Sequence, residues 1–261
     1  MLNSLSYLFT GHRLRIKGWS LYKADFTISA IAAMLHDGST LLLLSVIFAN
    51  IKQLQGWSFN EMLFIWGFAV LTRNLGYTVM DAPSMVFNYI RYGGMDQVLV
   101  RPQPLIIQIA AETGVNIYAV GRSLVGIGAI MTSLPALHLP WWSIIYLPVA
   151  IISSLVLFFG MQLIIVCLCF YFVNAFSALT AVVWMSQFGQ YPIDIFTLPL
   201  RFVFTWVLPY ALIGFFPAAF MLRGGNYALY GFLTPVMSII FLGLSLLVWS
   251  KSIRHYNSTG S

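Results

Sequence analysis

The sequence predicts an all-α polytopic membrane protein with six transmembrane helices, an interfacial helix at the N-terminus and a broken, re-entrant segment before the last span. Three observations carry this. Of the 261 residues, 60% are hydrophobic and only 8% are charged, whereas a soluble domain is roughly 45–50% apolar and about 25% charged. Apolar runs of the roughly 20 residues that cross a hydrocarbon core recur along the chain. The basic residues also cluster on one side of the topology those runs define, as the positive-inside rule requires.

Residues 1–24 are polar, basic and aromatic, with Tyr7, Phe9, His12, Arg13, Arg15, Lys17, Trp19, Tyr22 and Lys23. Leu14, Trp19, Leu21 and Tyr22 suit a helix lying on lipid, its basic groups among the headgroups. No A-x-A-like exit follows the first apolar run, so no cleavable leader is expected. The expected spans are 26–50, 60–80, 105–134, 144–172, 176–190 and 227–249. Residues 81–104 are polar and glycine-rich and form a cytoplasmic connection. Trp141 and Trp142 suit a membrane interface. Residues 191–222 are apolar but interrupted by Pro192, Pro199, Pro209 and Pro217. Proline removes a helix hydrogen bond and kinks the chain, and such backbone is tolerated at membrane depth only where protein or a cavity satisfies it. The segment reads as a re-entrant hairpin of short helices, with a seventh full span as the competitor. Residues 250–261 form the tail.

Charge favours six crossings over seven. With the N-terminus inside, the cytoplasmic segments hold Arg13, Arg15, Lys17, Lys23, Arg91, Arg101, Lys251 and Arg254, while the outer ones hold Lys52, Arg201 and Arg223. A seventh crossing would export Lys251 and Arg254, against the positive-inside bias.

The net charge of +6 does not indicate nucleic acid, because no basic patch is large enough to neutralise many phosphates. No P-loop, H-E-x-x-H or G-x-S-x-G pattern occurs. His12, His36, His138 and His255 are scattered and lack metal-ligand spacing. Cys167 and Cys169 stand two apart, on different sides of a helix, as packing residues. The Asn257-Ser258-Thr259 sequon faces the cytoplasm in this topology, so its match is accidental.

Two groups of residues are candidates for function. The stretch 88–104, NYIRYGGMDQVLVRPQP, sets apolar Val98, Leu99 and Val100 among charged Arg91, Asp96 and Arg101. Gly93-Gly94 permits a turn, and Pro102 and Pro104 set off the next span. A short amphipathic helix here could seat in a groove of a soluble partner; an ordinary interfacial loop is the alternative. The second group is the intramembrane charges Asp37, Arg73, Glu112 and Arg122, which are expensive in lipid and functional candidates by default. Glu112 and Arg122 are about 15 Å apart along one helix and cannot pair with each other. For Arg73, Glu112 and Arg122 the favoured reading is structural pairing between helices, or snorkelling near a span end. The aromatics Phe202, Phe204, Trp206, Tyr210, Phe215 and Phe216 crowd the broken segment, either as lipid-facing packing or as the lining of an exit for an apolar substrate.

The motifs Gly94–Pro102 (GMDQVLVRP) and Arg254–Gly260 (RHYNSTG), with Tyr191–Phe196 and Leu208–Ala218 between them, resemble the permease subunit of a type-2 ABC transporter. The likeness is to bacterial permeases that occur as paired membrane subunits with a separate ATPase, and it covers most of the chain. It implies an N-terminal elbow helix, six spans, and a cytoplasmic coupling helix after the second span. That coupling helix would dock in a cleft of an ABC ATPase dimer through Tyr89, Arg91, Asp96, Leu99, Arg101 and Pro102. It implies a second permease, identical or a paralogue, across the translocation path. ATP and Mg would belong to the ATPase, and this chain would bind no cofactor and catalyse nothing itself. The expected location is the bacterial cytoplasmic (inner) membrane, with both termini cytoplasmic, and the expected activity is export of a hydrophobic or amphipathic drug, lipid or peptide. A secondary transporter driven by protons or sodium through Asp37 and Glu112 is the first alternative. An intramembrane enzyme or scaffold is the second.

Overall fold

The computed structural model describes residues 6–7, 10–11, 13–14, 17, 23–79, 81–113, 116–172 and 176–256. Most of the expected elbow, and the end of the tail beyond Tyr256, lie outside the described residues. What is described is helical, with no strand beyond one isolated bridge between Leu54 and Trp57. The helices are α1 (Lys23–Asn50), α2 (Phe59–Val79), α3 (Ala82–Arg91), α4 (Met95–Leu99), α5 (Leu105–Thr113), α6 (Ile117–Ser133), α7 (Trp142–Cys167), α8 (Phe176–Trp184), α9 (Leu198–Phe202), α10 (Tyr210–Ile213), α11 (Phe215–Arg223) and α12 (Ala228–Ser252). Four runs among the described residues are long and apolar enough to cross a membrane: Thr27–Asn50, Tyr118–Ala136, Trp142–Phe170 and Phe215–His255. Each satisfies its own backbone, which is what the hydrocarbon demands.

Helix α2 is the centre of the bundle. It buries Met62, Leu63, Phe64, Ile65, Trp66, Phe68, Ala69, Val70 and Leu71. Burial on nearly every side marks a helix enclosed by others, not a surface helix. Its closest neighbour is α6, and the two cross at a glycine pair. A Cβ on Gly67 would lie 2.9 Å from the Gly126 carbonyl oxygen, and a Cβ on Gly126 would lie 2.9 Å from that of Gly67. Small residues at such a crossing let two membrane helices approach through their backbones. On the other side α7 and α12 pack along their lengths. Helix α1 touches the bundle almost only through α6, along Ala33, Asp37 and Leu44.

The expected third span is not one helix. Its first part ends as α5, and α6 starts afresh after Asn116, whose backbone is extended (φ −81°, ψ 108°). The Asn116 side chain accepts a hydrogen bond from the Ala119 amide at 3.1 Å. Asparagine offers the backbone this cap in competition with helix continuation, so the hydrophobic run is divided where periodicity alone reads straight through.

The proline-broken segment starts and finishes at the same end of the bundle. The Asp194 carboxylate is 3.5 Å from the Tyr227 hydroxyl, and the Trp57 and Tyr227 rings are 5.8 Å apart. Between those ends the chain dips inward. The Thr72 hydroxyl donates to the Ile213 carbonyl at 3.3 Å, and Thr72 lies thirteen residues into α2, about 20 Å along its axis. Tyr210, Ala211, Leu212, Ile213, Phe215 and Phe216 are buried in the core there. The aromatics split accordingly: Tyr210, Phe215, Phe216 and Phe204 pack inside, while Phe202 and Trp206 face outward. Gly67→Leu is expected to destabilise the protein by about 1–3 kcal/mol through overpacking at the α2–α6 crossing, read as a lower unfolding temperature of the detergent-solubilised chain.

Candidate functional site

The first candidate site lies between α2 and α5, at the end of the bundle opposite the Asp194–Tyr227 contact. Pro83 stands in the first turn of α3, where its fixed φ suits a helix start. Helix α3 buries Val86 and Ile90. The chain then turns at Gly93 (φ +74°), and Gly94 lies against Tyr89, where a Cβ would come within 2.7 Å of the ring. The five-residue α4 that follows is two-sided. Met95 and Val98 are buried in a cluster with Ile109, Leu163, Val166 and Trp249. Asp96, Leu99 and Val100 face outward with Arg101 and Pro102, and Val100 is 83% exposed.

Glu112, at the end of α5, fastens this segment. One of its carboxylate oxygens accepts from the Tyr89 hydroxyl and the other from Arg101 Nη1. Glu112 is therefore not an isolated membrane charge; the pairing sets it at the edge of the α4 segment. Its carboxylate holds the Arg101 guanidinium above its usual range. Gln108 supports the same turn, donating to the Gln103 carbonyl. Tyr256 packs edge-on against Phe170. Burial and the neighbouring Asp96 carboxylate push its hydroxyl above the usual tyrosine range. Of the sequence candidates, Tyr89, Asp96, Leu99, Arg101 and Pro102 thus share one surface segment. Arg91 closes α3, and its side chain lies outside the described residues.

The second candidate site is inside the helices. Arg122 on α6 clamps Asp37 on α1 with two hydrogen bonds, Nε to Oδ2 at 2.8 Å and Nη2 to Oδ1 at 2.6 Å. Asp37 is 1% exposed. The Tyr118 ring lies 5.9 Å from the same guanidinium. This is the helix-to-helix pairing expected for Arg122. Arg73 departs from that expectation: it is buried, and its Nη2 has no hydrogen-bond partner among the described residues. It borders a cavity of about 10 Å³, lined also by Phe158, Ser186, Gly189, Tyr210 and Gly214, which is room for roughly one water.

A third polar cluster was missed as a unit. Arg223 bonds Glu61 (Nε to Oε1, 2.9 Å), donates to the Gly56 carbonyl at 2.6 Å, and lies 3.6 Å from the centre of the Trp57 ring. A sequence signal for half of it exists. Ser58 and Glu61 have capping-box spacing, and the Ser58 amide does donate to Glu61 at 2.8 Å. Nothing in the sequence points from there to Arg223, 162 residues later.

Buried apolar helices, a broken inward-dipping segment and a short two-sided helix at one end define an integral membrane protein. The chain belongs to the ABC-2 transporter family: the profile described as "ABC-2 family transporter protein" matches residues 34–260. No curated protein and no solved structure matches it. Permeases of this family carry no nucleotide-binding motif and work with an ATPase partner.

Removing one partner of a buried ion pair strands the other charge, at a cost of about 3–5 kcal/mol. Asp37→Asn and Arg122→Gln should each lower the unfolding temperature sharply. The double variant should recover most of the loss, so a thermal double-mutant cycle reads the pair directly. Arg73 has no such partner among the described residues, so Arg73→Met is expected to leave the unfolding temperature unchanged or raised.

Proposed function

We propose that this chain is the permease subunit of an ATP-driven exporter in the bacterial cytoplasmic membrane, with both termini cytoplasmic. It crosses the bilayer six times, by α1, α2, α5 with α6, α7, α8 with the turns to Gln190, and α12. Residues 191–222 are re-entrant from the outer side. A second permease, identical or a paralogue, closes the translocation path, and a separate ATPase dimer holds ATP and Mg. The cargo class is a hydrophobic or amphipathic compound.

The observation that carries this reading is the asymmetry of α4. One face is locked into the bundle through Met95 and Val98, while Leu99 and Val100 stand in the open beside Arg101 and Pro102. An apolar knob on a rigid base suits a hydrophobic cleft rimmed by acidic groups, with Arg101 at the rim for charge complementarity. A push on α4 passes through Arg101 and Glu112 into α5, and through Tyr89 into α3. From α5 it reaches α6, and from Arg122 it reaches Asp37 on α1. Binding and hydrolysis of ATP by the partner would bias a two-state arrangement of the spans through this chain of contacts. The secondary-transporter alternative loses ground on the same geometry, because Asp37 and Glu112, the carboxylates it would use, are both held by arginines.

The test replaces outward groups that support nothing in the bundle. Leu99→Asp/Val100→Asp should leave the permease folded and abolish co-purification of the ATPase and its stimulation by the permease. Normal co-purification and stimulation would refute docking at α4. Transport that stops with vanadate and survives an uncoupler supports the ATP-driven reading; the reverse supports the secondary transporter.

A further inference from the structure

Helix α1 is covered on one narrow side, and its remaining surface carries two unlike stripes. Ala33, Asp37 and Leu44 are buried against the bundle. On one flank Ile28, Ile31, Leu35, Gly38, Leu42, Ser45 and Ala49 recur at helical spacing; Ile28, Leu35 and Leu42 are 65%, 69% and 69% exposed, and the Ser45 hydroxyl turns back to the Leu41 carbonyl at 2.8 Å. That flank suits hydrocarbon. On the other flank Ala32, His36, Ser39, Leu43, Val46 and Asn50 recur at the same spacing, and all six are exposed. Its polar part is the half around His36 and Ser39; Leu43 and Val46 are its large apolar residues.

His36 gives this second flank its meaning. It lies nine residues from Thr27 and fourteen from Asn50, so near the middle of the span, and its side chain is 42% exposed. A titratable ring exposed at that depth is costly in lipid and is tolerated where it meets water or a polar partner. Its Nδ1 is 3.2 Å from Asp37 Oδ1. The Asp37 carboxylate is acceptor-only beside Arg122, so Nδ1 is the donor, and Nε2 is left for an outside group. The Ser39 hydroxyl and the Asn50 amide each return one donor to their own helix, at 2.7 Å to the His36 carbonyl and 2.9 Å to the Val46 carbonyl. The Asn50 side-chain carbonyl remains for groups outside the helix.

We infer that the stretch of this stripe through Ala32, His36 and Ser39 is a wall of the aqueous translocation path, bathed in water and in the polar groups of the transported compound, while the Ile28–Leu35–Leu42 stripe faces lipid. This rests on the permease reading and extends it in two ways. It names pore-lining residues, and it favours an amphipathic cargo, whose polar part would run along this wall, over a purely apolar one. The Asp37–Arg122 clamp is what fixes the rotation of α1, and hence which stripe is presented to the path.

The test is modification of single cysteines by a hydrophilic, membrane-impermeant maleimide in the full permease–ATPase complex in lipid nanodiscs, with both faces open to the reagent. Cys167 and Cys169 are free and buried, so the unsubstituted complex supplies the baseline. Ala32→Cys and Ser39→Cys on one flank, and Leu35→Cys and Leu42→Cys on the other, alter exposed side chains. Thiolates form in water and not in hydrocarbon, so the first pair should react at least about tenfold faster than the second. Equal rates on both flanks would overturn the inference. So would a silent first pair, which would mean that lipid or a tightly packed second permease covers the stripe. ATPase activity measured on the same preparations separates the two readings. A silent stripe with vanadate-sensitive, permease-stimulated ATPase intact refutes the wall and leaves the permease reading standing.

Discussion

The ion pair between Asp37 and Arg122 is the contact on which the arrangement of the helices turns. Helix α1 meets the bundle through α6 and little else, and most of its surface is apolar and open. In lipid, apolar packing alone is a weak clamp, because hydrocarbon competes for the same surface on equal terms. A bidentate charge pair in a low-dielectric setting has no such competitor, and separating it would leave two charges without partners. It therefore sets both the position of α1 and its rotation about its own axis.

The other polar contacts divide the work between the two ends of the bundle. At one end, Arg223 holds the loop before α2 to the exit of the inward-dipping segment, using Glu61, Gly56 and the Trp57 face. At the other, Glu112 holds α3 and the turn after α4 to the start of the third expected span. The first contact closes the end where the chain turns back; the second stiffens the place where a motor subunit would push. Between them the only described discontinuity in the third expected span is Asn116, one and a half turns from Arg122. A displacement entering at α4 would therefore meet a helix junction just before it reaches the charge pair. Hinges of this kind let a small shift at one end become a rigid-body movement of a neighbouring span.

Arg73 stands apart from this scheme. A buried guanidinium cannot shed its proton to escape the cost of burial, and Arg73 borders a space the size of one water. Glycine and tyrosine from the inward-dipping segment and its approach line that space, so the group sits where α2 meets that segment.

Much of this was legible in the sequence, because lipid imposes a composition that water does not. The apolar runs, the prolines at 192, 199, 209 and 217 and the Gly93-Gly94 turn located most of the helices, the inward-dipping segment and the short helix α4. The pattern of apolar and charged residues around Leu99 marked that helix before any contact was known. Tertiary structure alone decided the pairings. That Arg122 takes Asp37 while Arg73 Nη2 finds no hydrogen-bond partner among the described residues, that Glu112 serves Tyr89 and Arg101, and that Arg223 reaches back 162 residues to Glu61 are facts of three-dimensional proximity. The break at Asn116 was equally hidden, since a side-chain cap and a continuing helix differ by about a kilocalorie, and the neighbouring elements settle the choice. The hydrophobic pattern says which segments enter the bilayer. Which charge finds a partner there depends on how the helices are rotated against one another, and that rotation is fixed by packing contacts between residues far apart in the chain.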